Sequence, residues 1–128
     1  MLRASHTTIN CSNAFVLSEW WKQLLGYIDV PDDPNEPGHK ECMIIDPHGD
    51  HRLLFIEVEE LQEVPGRIHL DLASTDRRRD DEIERAIALG ATKVTDRRNP
   101  DGTGWMVLTD PADNLFCIVR GEVDRSSD

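Results

Sequence analysis

The chain has 128 residues, which is enough for one compact domain or for two half-size modules that share a core. Hydrophobic residues make up 38% of the sequence and charged residues 30%, a balance typical of soluble globular proteins. The formal net charge of −11 argues against nucleic acid and against an anionic membrane surface as partners, because both call for a basic protein face.

Three cysteines without a CxxC spacing argue against a disulfide framework, so we expect a protein of the reducing cytoplasm. The sequence contains no apolar run of signal-peptide or membrane-spanning length.

The first half of the chain reads as a strand, a helix and three further strands. β-branched residues predict a strand over 6–11, and apolar residues at steps of three and four predict a helix that ends at Leu25. Ser12 or Asn13 can cap the start of this helix, and Gly26 suits the left-handed position after its end. The remaining strands are predicted over 27–30, 41–46 and 53–58.

The second half repeats this order. Apolar and polar residues alternate over 67–74, which is typical of a half-buried strand. A helix follows, with Thr75 or Asp76 as its cap and Gly90 after its end. Further strands are predicted over 91–96, 105–109 and 115–120, and the polar residues from 122 onward are expected to fray.

Landmarks at constant spacing indicate that one module is written twice. They lie 63 or 64 residues apart and are His6 with His69, Leu25 with Leu89, and Asp46 with Asp110. We therefore predict an α+β fold of two βαβββ modules, at about 6–58 and 67–120, joined by a linker at 59–66 into a single domain over 1–128.

With these segments in this order, the chain resembles the vicinal oxygen chelate superfamily, which has the glyoxalase, bleomycin-resistance and extradiol-dioxygenase fold. More narrowly, it resembles the small glyoxalase-like domains of bacteria. The segments that carry the resemblance are HTTINC at 6–11, WWKQLLGY at 20–27, RIHLDL at 67–72, ALGATKV at 88–94, GW at 104–105 and DPADNLFC at 110–117. The resemblance implies curved sheets around a cleft and a homodimer.

In metalloenzymes of this superfamily, the ligands come from the first and last strands of each module. The matching first-strand positions here are His6 and His69, while Cys117 stands where metalloenzyme relatives carry Glu. In the first module Glu57 is the available ligand. The resemblance thus implies a divalent metal (Zn, Ni, Mn or Fe) held by His6, Glu57, His69 and Cys117, all of which offer donor atoms that such ions accept.

The sequence alone leaves open how the last strand of the first module aligns with that of the second. Aligning Leu53 with Leu115 places Phe55 opposite Cys117, with Glu57 on the same side two residues further along. A second alignment places Ile56 at the ligand position and leaves no ligand there.

Two classes of function follow. In the first, the metal polarises a small substrate with neighbouring oxygens, Glu57 acts as the general base, and the outcome is that of a lyase, isomerase or dioxygenase. In the second, the domain binds or sequesters a small molecule without a metal, as bleomycin-resistance-like relatives do. Residues predicted to line the ligand site are Phe55, Asp71, Trp105 and Met106, although Trp105 fits the core better than the ligand site.

Overall fold

The structure is a computed structural model that describes residues 1, 4–60 and 69–126. It divides into two compact units, Met1–Glu63 and Val64–Asp128. The first unit contains β1 (Thr7–Cys11), α1 (Ala14–Leu25), β2 (Ile28–Asp29), β3 (Glu41–Ile45) and β4 (Arg52–Glu57). The second contains β5 (Leu70–Ala73), α2 (Arg79–Leu89), β6 (Thr92–Asp96), β7 (Trp105–Thr109), β8 (Leu115–Val119) and α3 (Glu122–Ser126).

Both units have the same sheet topology. The strand order is β1-β4-β3-β2 in one sheet and β5-β8-β7-β6 in the other. In each, the first strand pairs in parallel with the last, and the other neighbours are antiparallel. The predicted α+β fold and its repeated order of elements are confirmed. Residues 61–66 of the predicted linker, and residues 67 and 68 of the predicted strand, lie outside the described residues.

Local sequence signals set the bounds of α1. Asn13 caps the helix, because its side-chain oxygen accepts a hydrogen bond from the Val16 amide at 3.1 Å. Gly26 ends it in the left-handed conformation at φ 73°. Trp20 and Trp21 are buried and meet edge to face with ring centroids 5.3 Å apart, so they anchor the core of the first unit.

The faces of the first sheet are distinguished by their contacts with α1. Cys42 on β3 lies opposite Phe55 on β4, and the Cys42 thiol hydrogen-bonds with Ser18 of α1. The face that carries Cys42 and Phe55 is therefore the helix face of this sheet. Leu54 and Ile56 alternate with Phe55 and point to the other face.

The start of α2 differs from the sequence prediction. Neither Thr75 nor Asp76 caps this helix; its N-cap is Arg78, which makes no side-chain capping bond. Instead, the Asp124 carboxylate accepts a hydrogen bond from the Arg79 amide at 2.9 Å. The same carboxylate accepts from the Gly121 amide at 3.0 Å, which orders α3 where fraying was predicted.

Arg79 links this helix start to the loop before β7. Its side chain is buried, and Nη1 donates to the carbonyl oxygens of Gly102, Thr103 and Gly104 at 3.0, 3.1 and 3.2 Å. Nε of Arg79 also pairs with Asp80 Oδ1 at 3.0 Å, so this buried arginine combines an ion pair to its neighbour with bonds to backbone carbonyls far along the chain. Because the loop leads directly into Trp105, Arg79 also fixes where β7 begins.

Replacing Arg79 should destabilise the second unit. The substitution Arg79→Met keeps the apolar stem but leaves the three carbonyls without their charged donor, at an expected cost of about 2–3 kcal/mol in the free energy of unfolding. Urea denaturation followed by circular dichroism measures this change. The exposed neighbour gives the matched control, Arg77→Met, which should change stability by less than about 0.5 kcal/mol. Equal effects of the two substitutions would contradict the structural role of Arg79.

Candidate functional site

Three donor side chains gather on the second sheet. Asp71 on β5 lies beside Cys117 on β8 in the parallel ladder, and His69 directly precedes β5. A carboxylate oxygen of Asp71, a ring nitrogen of His69 and the Cys117 sulfur all lie within 4.8 Å of one another. His69 Nε2 is 3.3 Å from Asp71 Oδ1. We call these three residues the donor cluster.

The members of the donor cluster differ in exposure. The side chains of His69 and Asp71 are 43% and 60% exposed to solvent, whereas Cys117 is only 6% exposed. Burial raises the pKa of the Cys117 thiol, and the negative charge of Asp71 and a hydrogen bond to its carboxylate raise that pKa further. The thiol is therefore held protonated beside the carboxylate, with two polar groups at its exposed side.

Trp105 lies on the same face of the second sheet as the donor cluster. Val107 is paired with Cys117 and Trp105 with Val119, so the strand alternation directs Trp105, Val107 and Cys117 to one side. Trp105 is 44% exposed, which favours the ligand-binding interpretation over the core interpretation. We call the side that carries Trp105 and the donor cluster the site face.

Met106 and Phe55 are placed differently from the sequence prediction. Both are fully buried. Met106 alternates with Trp105 and is paired with Ile118, which puts it on the side opposite the site face. Phe55 lies on the helix face of the first sheet. Neither side chain has surface to offer a ligand, because strand alternation turns both into the cores of their units.

The register of the first sheet corrects the alignment of the two last strands. Thr8 on β1 is paired with Leu54, just as Asp71 on β5 is paired with Cys117. Leu54 therefore holds the place of Cys117 in the first module, and neither Phe55 nor Ile56 does. Thr8 correspondingly holds the place of Asp71, so the first module repeats the scaffold without the carboxylate or the thiol.

Glu57 ends β4 on the side of Phe55, and its carboxylate is ion-paired with Lys40. Within the described residues of the first unit, it is not part of any group of three metal-binding side chains. The roles predicted for it as metal ligand and general base stay predictions.

His6 directly precedes β1, as His69 precedes β5, so the two histidines occupy equivalent places in their modules. The side chain of His6 is exposed, and its Nδ1 lies 3.0 Å from the Ser5 hydroxyl oxygen. Its role as a metal ligand stays a prediction.

The sequence prediction did not include Asp71 among the metal ligands. Asp71 was predicted only as a ligand-binding residue, on the grounds that it shares a strand face with His69. The further signal lies in the pairing of first and last strands, which brings Asp71 next to Cys117. Once the β5–β8 ladder is known, the carboxylate becomes a third candidate metal ligand.

Residues 6–119 match the family model of the glyoxalase-like domain. The chain belongs to the glyoxalase-like domain family. No curated protein matches the sequence.

The described residues contain no helix with the length and apolar character needed to cross a membrane.

Solved structures with this fold include members of the wider glyoxalase/bleomycin resistance protein/dioxygenase superfamily, which confirms the fold that the resemblance implied. A member from Sphaerobacter thermophilus is 18% identical, with a TM-score of 0.67 over 94% of this chain and 98% of that one. The fosfomycin resistance protein FosX from Mesorhizobium loti is 16% identical, with a TM-score of 0.67 over 100% of this chain and 99% of that one.

FosX from Listeria monocytogenes, in a variant complexed with Mn(II) and a dihydroxypropylphosphonic acid, is 17% identical. Its TM-score is 0.70 over 98% of this chain and 94% of that one. At these identities the likenesses show the fold alone. The glyoxalase-like chain therefore has the same fold as these proteins.

Titration of the Cys117 thiol can test whether Asp71 and Cys117 interact in the donor cluster. In chelator-treated protein, Asp71→Asn removes the negative charge and the carboxylate acceptor, so the thiol pKa should fall toward the ordinary cysteine value. Thiolate absorbance, measured as a pH titration and corrected with Cys117→Ser, reports this pKa. The exposed helix residue Asp81 supplies the control, since Asp81→Asn should leave the titration in place.

The raised pKa of Cys117 also makes the stability of the folded protein depend on pH. Because the folded-state pKa of Cys117 is raised, the neutral thiol contributes stability that is present below the ordinary cysteine pKa and is lost as pH rises through the folded value. Relative to Cys117→Ser, the wild type should lose stability only in that alkaline range. A thiol pKa that does not respond to Asp71→Asn would show that the two side chains do not interact in solution.

Proposed function

We propose that this glyoxalase-like protein is a metal-dependent protein that binds and transforms a small molecule with two neighbouring oxygen atoms. The observation that carries the proposal is the gathering of His69, Asp71 and Cys117 within 4.8 Å of one another on the site face. It is supported by the fold, since a FosX relative with the same scaffold was crystallised with Mn(II) and a dihydroxy ligand.

The donor cluster fits a divalent ion by its chemistry. Imidazole nitrogen, carboxylate oxygen and thiolate sulfur are all established ligands of Zn²⁺ and related ions. Donors that share one tetrahedral ion lie about 3–4 Å apart, given bond lengths of about 2.0–2.3 Å. The 3.3 Å separation of His69 and Asp71 already falls in this range. Three protein ligands leave a position for the substrate, as in catalytic rather than structural zinc sites.

When bound, the ion would supply Lewis-acid polarisation to the oxygens of the substrate. Side chains next to the ion would bind and orient the substrate. Trp105 offers an exposed aromatic surface on the site face, against which a planar or apolar part of the ligand can pack. The exposed carboxylate of Asp71 has two oxygens, so one can bind the ion while the other holds a proton of the substrate or of bound water. Isomerase, lyase and dioxygenase outcomes differ in the substrate and the ion.

A metal-free binding function is the second candidate, and one observation favours it. The Cys117 thiol is already hydrogen-bonded to Asp71, so the cluster is satisfied without an ion. In that case the site face binds a small, partly aromatic molecule through Trp105, with His69 and Asp71 as its polar contacts. The homodimer and the cytoplasmic location remain expectations from the sequence under either function.

A thermal-shift experiment on chelator-treated protein separates the two functions. Zn²⁺, Ni²⁺, Mn²⁺ and Fe²⁺ are added one at a time, and an ion present at 100 times its dissociation constant should stabilise the fold by about 2.7 kcal/mol. His69→Ala should reduce this stabilisation strongly. The exposed histidine at position 48 gives the control, because His48→Ala removes an imidazole outside the donor cluster.

The opposite pattern would support the second candidate. If no ion stabilises the wild type, while catechol or a vicinal dihydroxy acid stabilises it in the presence of chelator, the metal-dependent function is wrong. Loss of that ligand effect in Trp105→Ala would then assign the metal-free site to the same face.

A further inference from the structure

We propose that the donor cluster selects borderline ions such as Zn²⁺ and Co²⁺ over hard ions such as Mn²⁺ and Mg²⁺, and that the Cys117 sulfur is the ligand that makes this selection. This inference deepens the metal-dependent function proposed above and depends on it. It differs from the ligand set predicted from the sequence, because Asp71 enters the set and all three ligands come from one module.

The donor types of the cluster determine which ions it prefers. Mn²⁺ and Mg²⁺ favour sites built from carboxylates, carbonyls and water, and Mg²⁺ holds a near-octahedral shell of oxygens. The donor cluster supplies one carboxylate, one imidazole and one thiol. Thiolate is a soft ligand that selects zinc and softer ions. The composition of the cluster therefore disfavours a hard ion.

The position of the Cys117 sulfur is set by the strands on both sides of it. Cys117 lies in the middle of β8, with Asp71 of β5 on one side and Val107 of β7 on the other. Its backbone is therefore held by two ladders, and the short side chain is buried. The β8 backbone and the packing around the buried side chain therefore set where an ion bound by the exposed His69 and Asp71 meets the sulfur.

The other two thiols of the chain, those of Cys11 and Cys42, have different surroundings from Cys117. Cys11 donates to the Ile56 carbonyl oxygen at 3.6 Å, and Cys42 hydrogen-bonds with Ser18 in the helix face. Both are fully buried, and within the described residues neither belongs to a group of three metal-binding side chains. A sulfur–metal signal from this protein would therefore belong to Cys117.

The test uses Co²⁺ as a spectroscopic probe on chelator-treated full-length protein. The wild type should show a near-ultraviolet sulfur-to-cobalt charge-transfer band that Zn²⁺ displaces. Cys117→Ser should abolish the band, while Cys42→Ser, the matched thiol control, should retain it. The ratio of the Mn²⁺ to the Zn²⁺ dissociation constant, measured by competition, should fall at least tenfold in Cys117→Asp, which replaces the thiol with a carboxylate.

X-ray absorption of the Zn²⁺-loaded wild type gives a measurement that does not depend on how the variants fold. It should show one sulfur neighbour at about 2.3 Å. Binding of Zn²⁺ or Co²⁺ without a sulfur neighbour and without the charge-transfer band would overturn this inference while leaving the metal-dependent function intact. Binding of Mn²⁺ or Fe²⁺ without binding of Zn²⁺ or Co²⁺ would likewise overturn only this inference. Absence of binding of every divalent ion tested would overturn both, so the two failures are distinguishable.

Discussion

Parallel pairing of the first and last strands is the constraint on which each module depends. Parallel neighbours cannot be joined by a tight turn, so the chain must cross over before it returns. Here the helix and two strands fill that crossover, and residues 46 positions apart in sequence, Asp71 and Cys117, become neighbours in the ladder. The donor cluster is a product of this pairing, since only His69 and Asp71 are close along the chain.

The two modules show how one scaffold can carry different chemistry. Thr8 and Leu54 form in the first sheet the pair that Asp71 and Cys117 form in the second. The helix faces of both sheets hold buried apolar side chains, among them Phe55 and Phe116, and these fix the fold. The same strand pairing forms in the first module without a carboxylate or a thiol at these places. The pairing therefore does not require these groups, and the role proposed for Asp71 and Cys117 is separate from it.

Strand alternation and helix-end signals were sufficient to predict the order of elements from the sequence. Gly26 and Gly90 end their helices as predicted, in the left-handed conformation. The alignment of the last strands was not predictable in the same way, because the loop between β3 and β4 spans 46–51 and that between β7 and β8 spans 110–114, one residue shorter. A one-residue slip turns every side chain to the other face, which is how Phe55 was matched with Cys117. Arg79 pairs with Asp80, its neighbour in the sequence, but its bonds to the carbonyl oxygens of 102–104 were not predictable, because backbone acceptors far along the chain leave no side-chain pattern.

The thiol and carboxylate of the donor cluster explain why both proposed functions remain compatible with one fold. Without an ion, a Cys117 thiolate would lie beside the negative charge of Asp71 in a buried place, so the proton stays on sulfur. A divalent cation reverses the sign of this interaction, because both anionic groups then face a positive charge. In the proposed metal site, the affinity for the ion would include the cost of removing the thiol proton, and it should rise with pH as that cost falls. Asp71 would both raise this cost and contribute a ligand, so its replacement should change the balance in both directions.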